Sequence, residues 1–142
     1  MMKKPNFFCV GAQKAATTTL HFILEKHPNV YFPDIKETKF FVDTKKYNKG
    51  IDFYLNQYFS NVENEKIIGE VDPDYMYFSY VPKRLYEHFG RNIKLMFILR
   101  NPMKRAYSQY IMLKSRNQED LNFNKAIQLE KERINKNFRK KI

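Results

Sequence analysis

A short loop rich in small residues, with one lysine and three threonines, follows an apolar run near the start of the chain. The run ends at Gly11, and the loop leads into a helix that the sequence predicts to begin at Thr17. Backbone N–H groups and the positive end of a helix dipole point into such a loop. Lys14 adds a full charge, and the threonine hydroxyls add hydrogen-bond donors. We expect a phosphate-like anion to bind the following residues: Gln13, Lys14, Ala15, Ala16, Thr17, Thr18 and Thr19.

The position of the lysine separates this loop from the usual nucleotide-triphosphate loop. That loop reads G-x-x-x-x-G-K-[ST], with the lysine beside the closing hydroxyl residue. Here Lys14 follows Gly11 by three residues and precedes Thr17 by three. The expected ligand therefore carries phosphate-like groups without being a magnesium-bound triphosphate.

A second candidate anion site lies where a later apolar run ends. Arg100 closes the run, and Asn101-Pro102 predicts a helix start, with the asparagine as cap and the proline in the first turn. Ser108 would then lie roughly two turns into the helix. A forked guanidinium and a hydroxyl can grip one phosphate together. The alternative is a capped helix beside a solvated arginine.

The segment Lys36-Glu37-Thr38-Lys39-Phe40-Phe41 places a carboxylate between two lysines and beside a phenylalanine pair. Lysines keep such a carboxylate ionised, and apolar walls exclude water, so Glu37 is a candidate general base. Taken alone, the segment is better explained as a charged loop anchored by Phe40 and Phe41.

Strands and helices alternate along the chain, which predicts an α/β fold with a parallel sheet flanked by helices. In such sheets ligands lie beyond the carboxyl ends of the strands, where the loop after Gly11, the turn Val71–Tyr75 and the turn at Arg100 all fall. Helical spacing predicts two buried faces, one of Leu20, Ile23, Leu24 and His27, the other of Met103, Ala106, Tyr107, Tyr110 and Ile111. The predicted strands are 7–10, 67–71 and 94–100, the last covered on both faces, with a short extended piece at 29–32. The predicted helices are 17–27, 52–59, 82–89, one from 101 and one from 122.

Composition limits the class of protein. The chain has 142 residues, a net charge of +11, and 13 Phe with 10 Tyr, which favours a packed globule with anionic partners. Its one cysteine, Cys9, excludes an intrachain disulfide and favours a reducing, cytoplasmic location. No apolar run approaches the ~18 residues of a membrane span, and no signal peptide is recognised. We expect a single domain over residues 1–142, with a basic tail from about residue 128.

Together these segments resemble the sulfotransferases that use 3′-phosphoadenosine 5′-phosphosulfate (PAPS), nearest to the branch with the heparan sulfate enzymes and their bacterial relatives. That family's motifs are G-x-x-K-x-x-T-[TR]-x-L, K-E-x-x-F-F, G-E-x-[ST]-P-x-Y and R-[DN]-P with a helical serine. This chain carries them at 11–20, 36–41, 69–75 and 100–108, in that order. The resemblance runs from about residue 7 to residue 127 and implies a P-loop-like three-layer fold.

The resemblance assigns roles to the candidate residues. It implies that Lys14 and its loop bind the phosphosulfate, Arg100 and Ser108 hold the 3′-phosphate, and Glu37 and Lys14 are catalytic. It implies PAPS as co-substrate, with no metal, and a carbohydrate or other small hydroxyl or amine acceptor. No specific nucleic-acid partner is expected, and the oligomeric state is left open.

Departures from the family pattern keep the acceptor undetermined. Many heparan-type members have Lys at Val71, Ser or Thr at Asp72 and His at Lys39. Members of the family are also usually longer, with a later K-G-R-type loop, so we expect the chain to be truncated at its C-terminus. Two alternatives follow: a catalytically incomplete nucleotide-binding remnant, and a P-loop small-molecule kinase. A nucleic-acid binder is a further alternative, although the basic residues cluster at a terminus and no recognition motif is present.

Overall fold

The structure is a computed structural model that describes residues 3–136. Its contacts divide the chain into two compact units, the first ending at Leu99 and the second beginning at Arg100. Among the described residues, no helix is long and apolar enough to cross a membrane.

The first unit contains a sheet of four strands, all paired in parallel. They are β1 (Phe7–Gly11), β2 (Val30–Tyr31), β3 (Ile67–Val71) and β4 (Lys94–Phe97), in the order β2-β3-β1-β4. Phe7 pairs with Gly69 and with Lys94. A Cβ at Gly69 would lie 1.7 Å from the Phe7 carbonyl oxygen, so only glycine permits this pairing. The predicted parallel sheet is confirmed, and its carboxyl ends meet at one edge.

The helices follow the predicted order. They are α1 (Thr17–Leu24), α2 (Thr44–Tyr47), α3 (Ile51–Phe59), α4 (Val81–Phe89), α5 (Pro102–Ser115), α6 (Phe123–Gln128) and α7 (Glu130–Asn135). Asp43 caps α2, a short helix that the sequence did not predict, by accepting from the Lys45 and Lys46 amides. α1 ends at Leu24 rather than at His27.

Two apolar clusters cover the two faces of β1, because alternate side chains of a strand point to opposite sides. Phe8 and Val10 pack into an aromatic cluster with Phe40, Phe41 and Tyr54. Phe7 and Cys9 face the other way and pack with Phe32 and Val71, against which Leu20 and Leu24 of α1 lie. The first unit therefore has three layers, as the sequence predicts for the domain.

Three burial predictions are wrong. β4 is an edge strand, with Leu95 48% and Phe97 53% exposed, so a continuous apolar run did not mean coverage on both faces. Ile23 of α1 and His27 beyond its end are exposed, whereas Thr17 and His21 are buried. Phe32 stacks on the His21 ring and helps to bury it. On α5, Met103, Tyr107 and Ile111 are exposed, whereas Gln109, Tyr110 and Leu113 are buried.

The second unit has its own small core. Tyr110 and Leu113 of α5 pack on Ala126 of α6, and the Tyr110 hydroxyl donates to the Leu121 carbonyl at 3.1 Å. Arg133 of α7 forms a two-pronged ion pair with the buried Glu119. Of the expected basic tail, residues 137–142 lie outside the described part of the chain.

Candidate active site

The loop after β1 lies directly on the turn that follows β3. The Met76 amide donates to the Val10 carbonyl at 2.8 Å, and the Asp72 amide donates to the Cys9 carbonyl at 3.0 Å. A Cβ at Gly11 would lie 2.9 Å from the Met76 Cβ, so a side chain at this position would push the two segments apart. The glycine that ends β1 therefore allows the close approach of two predicted site segments.

The backbone of the loop after β1, residues 12–16, is held in an unusual conformation. Lys14 and Ala16 have φ of 64° and 71°, in the left-handed region that non-glycine residues seldom adopt. Ala16 precedes α1 and provides no side-chain cap for its first turn. Such a turn leaves amide groups for an anion to satisfy. The order of strand, loop and helix is as the sequence predicted, with Gln13, Lys14 and Thr17 all in the first unit, and the binding of an anion there stays a prediction.

Exposure differs among the predicted loop residues. Thr17 and Ala15 are buried, and Gln13 and Lys14 are half-buried. Ala16, Thr18 and Thr19 are exposed. Because Ala15 and Ala16 have no polar side chain, any contact they make with an anion must come from the backbone.

Two aromatic side chains of the segment with Glu37 anchor it in the protein core. Phe40 and Phe41 are fully buried, and the Lys46 ammonium donates to the Thr38 carbonyl at 2.8 Å. Glu37 and Lys39 have positive φ, 63° and 58°. The segment is therefore the anchored charged loop that its residues alone favoured, and it also presents a half-buried carboxylate.

Lys39 joins this loop to the turn after β3. Its ammonium lies 2.9 Å from Glu37 Oε2, 2.8 Å from Asp72 Oδ1 and 3.2 Å from Asp74 Oδ2. The Gln13 side-chain amide donates to the other oxygen of Asp74. One continuous set of contacts thus runs from the loop after β1 to Glu37.

The charges around Glu37 set its ionisation. Burial raises the pKa of this carboxyl, but hydrogen bonds and charge from Lys36 and Lys39 more than offset burial and lower the pKa below its ordinary value. A carboxylate that is ionised and partly shielded from water can accept a proton from a substrate.

A second carboxyl, which sequence reasoning gave no role, lies buried in β3. Glu70 Oε1 accepts from the Tyr54 hydroxyl at 2.7 Å and from the Tyr75 hydroxyl at 2.5 Å. Burial, with help from the negative charge of Asp72, raises the Glu70 pKa to about 7, although the tyrosine hydroxyls oppose the rise. The signal available in the sequence was a pair of acids two residues apart within a buried strand and its turn.

Arg100 and Ser108 belong to the second unit. Asn101 caps α5 as predicted, accepting from the Lys104 amide at 3.1 Å. Arg100 is exposed just before this cap, and Ser108 is half-buried on α5. Their joint grip on a 3′-phosphate stays a prediction, as does their position relative to Lys14.

The comparisons with known proteins can now be set beside this geometry. A family model described as a sulfotransferase domain matches residues 4–140. The chain belongs to the sulfotransferase family. A crystal structure of a sulfotransferase from Alicyclobacillus acidocaldarius superposes with a TM-score of 0.80 and 32% identity, covering 94% of this chain and 60% of that one. The expected P-loop-like α/β fold is therefore confirmed.

Curated sulfotransferases are similar over three quarters of the chain. A membrane-associated sulfotransferase of Dictyostelium discoideum is 36% identical over 108 residues, which are 75% of this chain and 22% of the relative. The human bifunctional heparan sulfate N-deacetylase/N-sulfotransferase 2 is 37% identical over 113 residues, 75% of this chain and 12% of that protein. The human heparan sulfate glucosamine 3-O-sulfotransferase 5 is 35% identical over 107 residues, 75% of this chain and 30% of that protein. The chain thus spans less than a third of each of these curated relatives.

Proposed function

We propose that this sulfotransferase-family chain transfers a sulfuryl group from PAPS to a hydroxyl or amine acceptor, with carbohydrates as the leading class. The carrying observation is the contact chain Gln13–Asp74–Lys39–Glu37, which joins the anion-binding loop to an ionised, half-buried carboxylate. Two of the similar human proteins are described as heparan sulfate enzymes, which supports a carbohydrate acceptor.

Each residue has a distinct task in this proposal. Glu37 takes the proton from the acceptor as the acceptor oxygen or nitrogen attacks sulfur. Lys14, assisted by loop amides and the hydroxyls of Thr17 and Thr18, stabilises the negative charge that builds on the departing phosphate. Arg100 and Ser108 bind the 3′-phosphate and so fix the position of the co-substrate. The proposal assigns no step to a metal ion.

The first test is binding of the product nucleotide, adenosine 3′,5′-bisphosphate, followed by thermal unfolding. A ligand that binds only the folded state raises the melting temperature with its concentration. We expect a rise in the parent chain and its loss in Lys14→Ala and Arg100→Ala. Arg116→Ala is the matched control, since this arginine is exposed at the other end of α5. No rise in the parent would refute the nucleotide assignment.

The second test is transfer itself. A turnover assay with labelled PAPS and a panel of sugar, amine and phenol acceptors should give sulfated product. Nucleotide binding without product from any acceptor class would favour the nucleotide-binding remnant over the enzyme. Transfer from ATP instead of PAPS would favour a kinase.

We also propose a cytoplasmic location. Cys9 is a buried thiol without a disulfide partner, and burial raises its pKa, so it has the character of an inert core residue rather than half of a lost bridge. Fractionation of cells that express the tagged chain tests the location, and recovery with membranes would contradict it.

A further inference from the structure

We propose that Lys39 is a positioning residue: anchored by Asp72 and Asp74, its ammonium holds the Glu37 carboxylate in place and does not bind the acceptor. This inference rests on the proposed role of Glu37 as the base. It assigns a task to a residue at which this chain departs from the family pattern.

The coordination of the ammonium argues for this role. A lysine ammonium has three N–H donors. Three carboxylate oxygens, one each from Glu37, Asp72 and Asp74, lie within 3.2 Å of Lys39 Nζ. Because these oxygens match the donors in number, an anionic acceptor would have to displace one of them to reach Lys39.

Asp72, which anchors Lys39, is buried and held by several hydrogen bonds. Asp72 has 0% exposure, and its carboxylate accepts from three donors: Lys39 Nζ at 2.8 Å, the Lys39 amide at 3.1 Å and the Asp74 amide at 3.1 Å. Its own amide donates to Cys9 of the central strand β1. The same carboxylate therefore holds both the backbone and the side chain of Lys39 against the sheet.

The backbone of the loop points to the same conclusion. Glu37 and Lys39 both adopt left-handed φ, and neither is glycine. Such conformations are unfavourable for non-glycine residues and persist where surrounding contacts dictate them. Between them, Thr38 is buried and its hydroxyl accepts from the Phe40 amide at 3.2 Å. These contacts set the backbone so that the two flanking side chains meet.

Other charged groups also act on Glu37. Lys36, on the same loop, pairs with Oε1, whereas Lys39 pairs with Oε2. The charge of Glu37 is felt by His21 on α1 and by Asp72 beyond β3. Of these groups, only Lys39 contacts Glu37 and is itself tied to the sheet, so its loss should release the carboxylate while Lys36 stays in place.

The decisive measurement is a carboxyl-carbon NMR titration of Glu37, which needs no turnover. In Lys39→Met the Glu37 pKa should rise above that of the parent, because burial then acts against only one neighbouring lysine. Lys46→Met is the matched control: Lys46 supports the same loop through the Thr38 carbonyl but does not pair with Glu37. An unchanged Glu37 pKa in Lys39→Met, or an equal rise in Lys46→Met, would overturn the proposal.

Removal of Lys39 leaves Asp72 buried without its cation, which can prevent folding. The double variant Lys39→Met/Asp72→Asn removes both charges and keeps the measurement possible. It should show the same rise of the Glu37 pKa. A Glu37 pKa equal to that of Asp72→Asn alone would count against a positioning role.

Kinetics supply a second readout. Misplacing a catalytic group by about an ångström costs up to roughly 100-fold in rate, so kcat should fall ~10- to 100-fold in Lys39→Met with little change in KM for PAPS. Failure of nucleotide binding in the parent would refute the proposed function but leave the titration interpretable. The predicted rise of the Glu37 pKa in Lys39→Met without a fall in kcat would show that Lys39 does not position a catalytic Glu37.

Discussion

Glu37 and Glu70 are two glutamates of the same unit whose surroundings shift their pKa values in opposite directions. Glu37 is half-buried between two ammonium groups, which lower its pKa. Glu70 is fully buried and meets only neutral hydroxyl donors on Oε1, and its pKa rises to about 7. The difference shows that the charge of the partner, rather than burial alone, determines which carboxyl is ionised and able to accept a proton at neutral pH.

Substitutions of the two glutamates should differ most in their effect on the rate of transfer. Glu37→Gln should lower transfer by about 10²- to 10⁴-fold, the range of general-base contributions, whereas Glu70→Gln should change it only a few-fold. Steady-state turnover of labelled PAPS measures both. The nucleotide-induced rise in melting temperature should persist in each variant. Comparable loss of transfer in the two variants would break the distinction.

The second largest effect is expected in the pH dependence of stability. The folded-state pKa of Glu70 is raised above its ordinary value of 4.5 to about 7. The protonated carboxyl therefore contributes its full share to the free energy of unfolding below pH 4.5. That contribution is lost as pH rises through 7. A shift of this size corresponds to about 3 kcal/mol.

Urea unfolding of the parent and of Glu70→Gln, compared between pH 5 and pH 8, measures this contribution. The parent should lose stability relative to the variant over that interval. The same comparison with Glu37→Gln should show no such loss. A parallel pH profile for the parent and Glu70→Gln would show that Glu70 titrates at its ordinary pKa.

A smaller effect is expected at the hydroxyls that hold Glu70. Tyr54→Phe removes a buried donor 2.7 Å from the carboxyl, which typically costs about 1–3 kcal/mol of unfolding free energy. Tyr80→Phe is a suitable control, because its hydroxyl donates to the Val42 carbonyl from an exposed position. Denaturant unfolding at pH 8 measures the unfolding free energy of both variants. An equal loss in the two would show that burial does not make the Tyr54 hydroxyl more important than an exposed one.

The smallest effect on stability should come from Lys36. Lys36→Gln removes one of the two cations beside the half-buried Glu37 and should cost less unfolding free energy than Tyr54→Phe, because Lys39 still neutralises the carboxylate. The Glu37 pKa should rise nonetheless. A large loss of stability without a change in the titration would assign Lys36 a structural task.

Much of the scaffold could be predicted from local sequence. The run before Gly11, the strand Ile67–Val71 and the Asn101-Pro102 helix start all appear in the structure where the residue patterns placed them. Each is decided by neighbours in the chain: an apolar run, a cap or a breaker.

The errors concern what packs on what, which depends on residues far apart in sequence. The apolar residues Leu95 and Phe97 gave no sign that β4 would be an edge strand. The ion pairs of Lys39 with Asp72 and Asp74 join segments more than thirty residues apart in the sequence. They could not be predicted without the parallel pairing of β1 with β3, which positions the turn that carries the two aspartates. The residues alone made Glu37 a candidate base but favoured a charged loop, whereas the resemblance to known enzymes favoured the catalytic role.

The close approach of Gly69 to the Phe7 carbonyl has a consequence for how such a site can diversify. At this point the spacing of β1 and β3 is set by backbone contact and not by side-chain size. Substitutions beyond the carboxyl ends of the two strands can therefore alter the charges near Glu37 without moving these strands apart. The Lys39–Asp72 pair thus lies on a frame whose strand spacing does not depend on that pair.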